Sequence, residues 1–300
     1  MLRECVEGLN IDPDGIYVDC TLGGAGHSLE IAKRLNRGRL FAFDLDPEAI
    51  AFGKEKLNNY ADKVTFVNCD FKRMNEVLSE NGINSVNGIL MDLGISSPQI
   101  DTPERGFSYM HDAPLDMRMD TNQSFSAYDV VNGYPVEKLT KIFRDYGEEK
   151  NAYAIARDIV KRRESEALKT TGELVKIISA HYPAFGRSGH PAKRVFQAIR
   201  IEVNGELDGL DKAVTAGAKT LVKGGRIAVI TFHSLEDRIV KNAFRELEKD
   251  CICPKNLPVC VCGKRKEIEI LTKKPITASA EELEANPRAL SAKLRIAERV

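Results

Sequence analysis

Four apolar runs in the opening part of this 300-residue chain stop at or just before an aspartate. They are Ile16-Tyr17-Val18 before Asp19, Leu40 to Phe43 before Asp44, a run through Val67 before Asp70, and a run through Met91 before Asp92. The intervals between these aspartates are 25, 26 and 22 residues. A strand, a turn and a crossover helix that returns to lay the next strand parallel need about that much chain. The spacing therefore predicts repeated strand-helix units in a parallel sheet. In such sheets ligands bind outside the carboxyl ends of the strands, so all four aspartates are expected on one rim. Taken singly, a strand-end aspartate is more often a helix cap.

The first unit carries the chemistry. Gly23, Gly24 and Gly26 crowd together directly after Asp19, between the strand and the next helix. A glycine-rich strand-to-helix turn lets backbone N–H groups approach a ligand closely, because no Cβ holds it away. The dinucleotide fingerprint needs a third glycine where Leu29 stands, and a P-loop needs a Gly-Lys-Ser/Thr that is missing. An acidic strand end would repel phosphate, whereas Asp19 suits the sulfonium and ammonium of S-adenosylmethionine. Asp44, 18 residues after Gly26, sits where a doubly wound fold places the carboxylate for ribose hydroxyls. An ordinary glycine-rich βα turn is the alternative reading.

A composition of 43% hydrophobic residues supports a sizeable core. Basic and acidic residues number 44 each, so no global positive charge argues for nucleic acid, and any RNA contact has to be local. No apolar run reaches about 18 residues and no signal peptide is evident, which is the pattern of a cytoplasmic chain without a membrane partner. Seven cysteines, an odd number, suit reduced thiols or a metal better than a disulfide framework.

After Asp92 the next strand signal is Arg226 to Thr231, announced by Gly224-Gly225. No single crossover helix uses that much chain. Helical patterns fill the interval at Val136 to Tyr146, Ala152 to Arg163, Gly172 to Tyr182 and Ala192 to Leu210. The organisation expected is therefore a discontinuous sheet domain, residues 1–103 and 200–300, with an inserted all-helical domain over 104–199 that holds the substrate. Lys161-Arg162-Arg163 and the set Arg187, Lys193, Arg194 and Arg200 are candidate phosphate contacts, or simply solvated helix faces. His233 with Glu236 and Asp237 suggests metal or acid–base work, but a helix start at Ser234 with Asp237 completing a capping box fits better. Cys251, Cys253, Cys260 and Cys262 offer a zinc ligand set, weakened by C-x-C spacing where C-x-x-C is usual; without further support no metal is assigned. The alternation through Arg288, Lys293 and Arg295 reads as a final edge strand near the rim.

Several longer motifs then identify a family. Asp19-x-Thr-Leu-Gly, Gly26-His-Ser28, Asp92-Leu-Gly-Ile-Ser-Ser-Pro-Gln99, Glu104-Arg-Gly-Phe-Ser108, Pro114 to Asp120, Tyr146-Gly-Glu-Glu149, His190 to Arg194, Phe196-Gln-Ala198, Phe232 to Arg238 and Asn286-Pro-Arg288 resemble the bacterial RsmH (MraW) family over essentially the whole chain. The resemblance implies a Rossmann-like α/β methyltransferase sheet with an inserted all-helical domain. It also implies S-adenosyl-L-methionine as cofactor and methylation of N4 of a cytidine in 16S ribosomal RNA, within the small ribosomal subunit. Carried over residue by residue, it places cofactor contacts on Ala25, Gly26, His27, Asp44, Phe71, Asp92 and Gln99. It places the chemistry on Asp92, Ser96, Ser97 and Pro98, where a carboxylate and a carbonyl accept from the amine hydrogens. Phe107, Tyr109 and Arg118 are candidates to flank a splayed base or to serve as packing. The chain departs from the pattern at Ala25 and Ala113, usually glycine, and at Leu290, usually arginine. It begins at Met1-Leu2-Arg3 where members usually carry several more residues including a histidine, which points to a truncated start. A homodimer is one assembly open to it. Competing readings are a catalytically idle RNA-binding ribosome-assembly factor, a methyltransferase on a protein or small molecule, and a nicotinamide oxidoreductase.

Overall fold

The computed structural model describes residues 1–182, 190–254 and 259–300. The predicted strands form where the apolar runs lie: β1 is Ile16–Asp19, β2 Arg39–Asp44, β3 Val64–Asn68, β4 Val86–Asp92 and β5 Leu221–Thr231. Three more follow, β6 Ile268–Ile270, β7 Ile276–Thr277 and β8 Lys293–Arg299. Among the described residues they make one sheet in the order β3-β2-β1-β4-β5-β8-β6, with β7 also on β8. The first five pair in parallel, and β8 runs antiparallel to its neighbours. β1 lies between β2 and β4, with Asp19 opposite Ala42 on one side and Leu90 on the other. That is the point where strand order reverses, and ligands bind at such switch points.

β8 is not an edge strand, as its alternation suggested. It is covered by β5 on one side and by β6 and β7 on the other, and Leu294, Ile296 and Ala297 are buried. Leu294 to Ala297 are buried in succession, so both faces of the strand are covered as well as both edges.

The chain divides into two compact units, residues 1–94 with 209–300, and residues 95–208. The second begins earlier and ends later than the 104–199 expected. Ile95 packs on its core, and the helix Ala192–Asn204 buries Val195, Phe196, Ile199 and Val203 in it. That helix stops at Gly205, which takes the left-handed conformation of a helix C-cap, well before Leu210. The helices Ala127–Gly133, Val136–Asp145, Ala152–Arg163 and Thr171–Ser179, with Phe107, Leu115, Met117 and Leu168 from the segments between elements, supply the rest of this core. The sheet unit has a separate core that includes Tyr17, Ile31, Leu40 and Leu90. Among the described residues no helix is long and apolar enough to cross a membrane.

Candidate functional site

The carboxyl ends of β1, β2 and β4 bring the glycine turn and three of the aspartates together, but the carboxylates differ in depth. Asp19 is completely buried, and burial raises its pKa from the usual carboxylate value. Ser28 Oγ donates to its Oδ2 at 2.6 Å and the Thr21 N–H to its Oδ1 at 3.1 Å. Thr21 Oγ1 in turn accepts the Asp92 N–H at 2.7 Å. Asp19 is thus not a contact for a cationic ligand, as its place before the glycines suggested. It is a positioning residue: it fixes Thr21 and Ser28, and through Thr21 the backbone at Asp92.

Asp44 lies nearer the surface. The Gly23 N–H donates to Oδ2 at 2.7 Å and the Asp46 N–H to Oδ1 at 2.9 Å, so each oxygen retains a free lone pair. Burial outweighs these two bonds and carries its pKa up to about 6. Two partly satisfied, outward-lying carboxylate oxygens are what a pair of ribose hydroxyls needs.

The turn itself is open. A Cβ built on Gly24 or on Gly26 would meet nothing within 4 Å, so space for a ligand lies directly beside this backbone. Ala25 between them is buried and has φ +55°, the left-handed region that explains the glycine usual there. At the end of β3, Asp70 caps the short helix Phe71–Arg73 by accepting from the Lys72 N–H at 2.9 Å, and leaves the Phe71 ring half-buried on the same rim.

Asp92 is the carboxylate with capacity to spare. Oδ2 lies 3.4 Å from His27 Nδ1, whereas Oδ1 is buried with no hydrogen-bond partner. An unpaired buried carboxylate oxygen costs of the order of 1–3 kcal/mol, so such atoms call for a ligand. Cys5, from the helix Leu2–Leu9, also acts on the imidazole, whose Nε2 is buried with no hydrogen-bond partner. Burial alone would lower the imidazole pKa, but the Asp92 carboxylate, and to a lesser degree Cys5, carry it up to about 10. Neither Cys5 nor the bridging role of Thr21 is apparent from spacing. Thr21 does fall in the Asp19-x-Thr-Leu-Gly motif, whereas nothing in the sequence singles out Cys5.

In the helical unit, Ser96 caps the helix Ser97–Asp101. Its Oγ accepts from the Gln99 N–H at 3.4 Å while Gln99 Oε1 accepts from the Ser96 N–H at 3.0 Å. This capping box gives Gln99, which is buried, a local structural task beyond the cofactor contact the resemblance implies. Ser97 and Pro98 are exposed on the first turn. Phe107 is buried in the helical core and is therefore packing. Arg118 is held by Asp116 through two bonds of 2.8 and 2.7 Å and donates to the Gln123 carbonyl at 2.7 Å. Tyr109 stacks on His190, ring centroids 4.6 Å apart and planes 17° from parallel. Of the basic sets, Arg163 donates to the Val131 and Tyr134 carbonyls and Arg200 pairs with Glu206 at 2.9 Å, while Lys161, Lys193 and Arg194 are exposed. Arg187 lies outside the described residues.

The capping box expected at Ser234 and Asp237 falls one residue earlier. His233 caps the helix Ser234–Glu248, its Nδ1 accepting from the Glu236 N–H at 3.4 Å, and Glu236 returns a carboxylate oxygen to the Phe232 N–H at 2.8 Å. Asp237 is drawn instead to Arg295, at 2.7 and 3.2 Å, which lowers its pKa against the effect of burial. Arg295 is thereby a buried partner of that helix and not a free cation on the rim.

Two curated relatives match the chain over its whole length. "Ribosomal RNA small subunit methyltransferase H" of Clostridioides difficile (strain 630) is 54% identical over 303 residues, covering all of this chain and 97% of the relative. The protein of the same name from Clostridium botulinum (strain Loch Maree / Type A3) is 55% identical over 302 residues, again covering all of this chain and 97% of the relative. Residues 1–300 match the MraW methylase family, and with its glycine turn and strand-end carboxylates in place the chain belongs to that family.

Proposed function

We propose that this chain transfers a methyl group from S-adenosyl-L-methionine to the exocyclic N4 of a cytidine in 16S ribosomal RNA. The small ribosomal subunit is the particle that presents the base, and the cytoplasm is the place of action. At the coarser level the chain is a small-subunit ribosomal RNA methyltransferase. The cofactor supplies a methyl group activated on a sulfonium. The residues fit it: Gly24 and Gly26 leave open space along the turn, Asp44 would accept from the ribose hydroxyls with the lone pairs its two backbone bonds leave free, and the half-buried Phe71 ring would flank the base.

The reading rests on the buried, unpartnered Oδ1 of Asp92. An exocyclic cytosine amine is a weak nucleophile because its lone pair is delocalised into the ring. A carboxylate oxygen that accepts an N4 hydrogen favours pyramidalisation and directs the lone pair outward. His27 holds the carboxylate and Thr21 the backbone of Asp92 while this happens, and with the reacting atoms aligned at about 3 Å no covalent enzyme intermediate is required. Ser96-Ser97-Pro98, which follow in the chain, supply the carbonyl acceptor, and the helical unit recognises the RNA. The target base leaves its stack to reach the methyl group.

The purified chain, given labelled S-adenosylmethionine and under-methylated small subunits, free ribosomal RNA or protein extract, should place label in N4-methylcytidine. Asp92→Ala should lower turnover by about 100-fold or more at saturating cofactor, the scale of losing a positioned catalytic group. Label in another nucleoside, or near-normal transfer by Asp92→Ala, overturns the proposal. Transfer to protein instead would favour the competing methyltransferase class.

A further inference from the structure

The loop between the helix Ser234–Glu248 and β6 carries four cysteines that the methyl-transfer chemistry does not use. Around them the described residues Cys251 to Pro254 and Val259 to Gly263 contain no buried side chain. Ile252, Val259 and Val261 are 59%, 70% and 78% exposed. Burial of apolar surface therefore does not hold this segment together. The four sulfurs nevertheless converge. Sγ of Cys251 lies 3.5 Å from Cys260 and 3.8 Å from Cys262, and Sγ of Cys260 lies 3.9 Å from Cys253 and 3.5 Å from Cys262.

These separations discriminate between chemistries. A disulfide brings two sulfurs to about 2.05 Å, and none of the four is bonded. Four thiolates around one Zn²⁺ at about 2.3 Å stand about 3.8 Å apart along the edges of a tetrahedron, close to every distance here. The ligand atoms of all four lie within 4.8 Å of one another. Backbone amides point at the sulfurs as well: Cys253 N–H donates to Cys251 Sγ at 3.3 Å, Ile252 N–H to Cys262 Sγ at 3.4 Å and Val261 N–H to Cys253 Sγ at 3.4 Å. Donors of this kind neutralise part of the charge that four thiolates concentrate. They also show how a C-x-C pair chelates, since the amide of the second cysteine folds back onto the sulfur of the first.

The geometry points to a structural zinc site formed by Cys251, Cys253, Cys260 and Cys262, with no open position for catalysis. Binding displaces the thiol protons and leaves a closed tetrathiolate centre that clamps Cys251 to Pro254 against Val259 to Cys262 in place of a core.

The test uses the full chain, purified reduced and without chelator. Elemental analysis should find about one zinc per chain, and the double substitution Cys251→Ser with Cys262→Ser should lose it while S-adenosylmethionine binding persists. Zinc-free chain titrated with Co²⁺ should show the intense visible bands of tetrahedral cobalt and thiolate-to-metal charge transfer, abolished by zinc. That measurement needs no variant to fold. Chelation should expose residues 249–267 to limited proteolysis, and zinc should restore protection. A reduced chain that takes up neither metal overturns the proposal, as does iron in place of zinc, an octahedral cobalt spectrum, or metal retained by the double variant. Disulfides among these cysteines in protein prepared without reductant, with no metal bound after reduction, would identify the loop as a redox element instead.

Discussion

At the scale of single residues, three strand-end aspartates on one rim are set to three different tasks by depth and partners alone. Asp19 is spent on Ser28 and Thr21, Asp44 is half-engaged, and Asp92 holds one oxygen in reserve. Their pKa behaviour makes two tasks measurable. Asp44, raised to about 6, accepts from hydroxyls only as the carboxylate. Cofactor affinity should therefore be steady above about pH 6 and fall below it by up to tenfold per pH unit, and Asp44→Asn should bind weakly with that pH dependence removed. Calorimetric titration from pH 5 to 8 reads both. His27 behaves in the opposite sense. Its pKa rises from 6.5 unfolded to about 10 folded, so the stability it contributes is complete below about pH 6.5 and fades as pH climbs through 10. His27→Ala should therefore be most destabilised near pH 6, by something of the order of 3 kcal/mol, and closer to wild type at pH 10. Urea midpoints at the two pH values check this, and a deficit that grew with pH would contradict the pairing.

At the scale of elements, the glycine turn carries a strain that the sequence marks as a departure and the backbone explains. Ala25 at φ +55° holds a conformation costing an L-residue about 1–2 kcal/mol. Ala25→Gly should recover about 1 kcal/mol of that in thermal unfolding, less what glycine loses in the unfolded chain. Cofactor binding should change little, because the Ala25 side chain is buried away from the open side. The strands that end this turn and its neighbours were legible because each apolar run stops at a polar residue. The helix Ala152–Arg163 was legible because its apolar positions recur at helical spacing. The place of β8 was not legible. Alternation says which faces a strand buries but not what lies beside it, and its far-side partners are only three and two residues long. The cap of the helix Ser234–Glu248 was misplaced by one residue for a similar reason. His233 and Ser234 each have an acid three residues on, and the choice is made by the burial of Glu236 and the pull of Arg295 on Asp237. The place of Asp44 and Asp92 at the ends of β2 and β4 could be read from spacing, but the depth to which Asp19 is buried is a property of packing.

At the scale of the whole molecule, two separate cores predict two unfolding events. Leu90→Ala in the sheet unit and Leu139→Ala in the helical unit each delete a fully buried side chain, at a cost of about 2–5 kcal/mol. Each should shift one transition of a urea melt followed by hydrogen exchange and leave the other in place. A single transition moved equally by both would show that the units unfold together. The position of β8 also has a consequence for how the chain is made. During synthesis the residues of β1 to β4 leave the ribosome first, the whole helical unit follows, and β5 and β8 come last. The helical unit has all its core residues in one continuous stretch and can fold as soon as that stretch emerges. The sheet has to wait for a strand made almost three hundred residues in, since β6 and β7 hold to it only through β8. β4 presents an open, apolar edge only until β5 is made, and from then until β8 emerges the open edge is that of β5. A nascent chain of this design can therefore complete its inserted unit early and closes its sheet last.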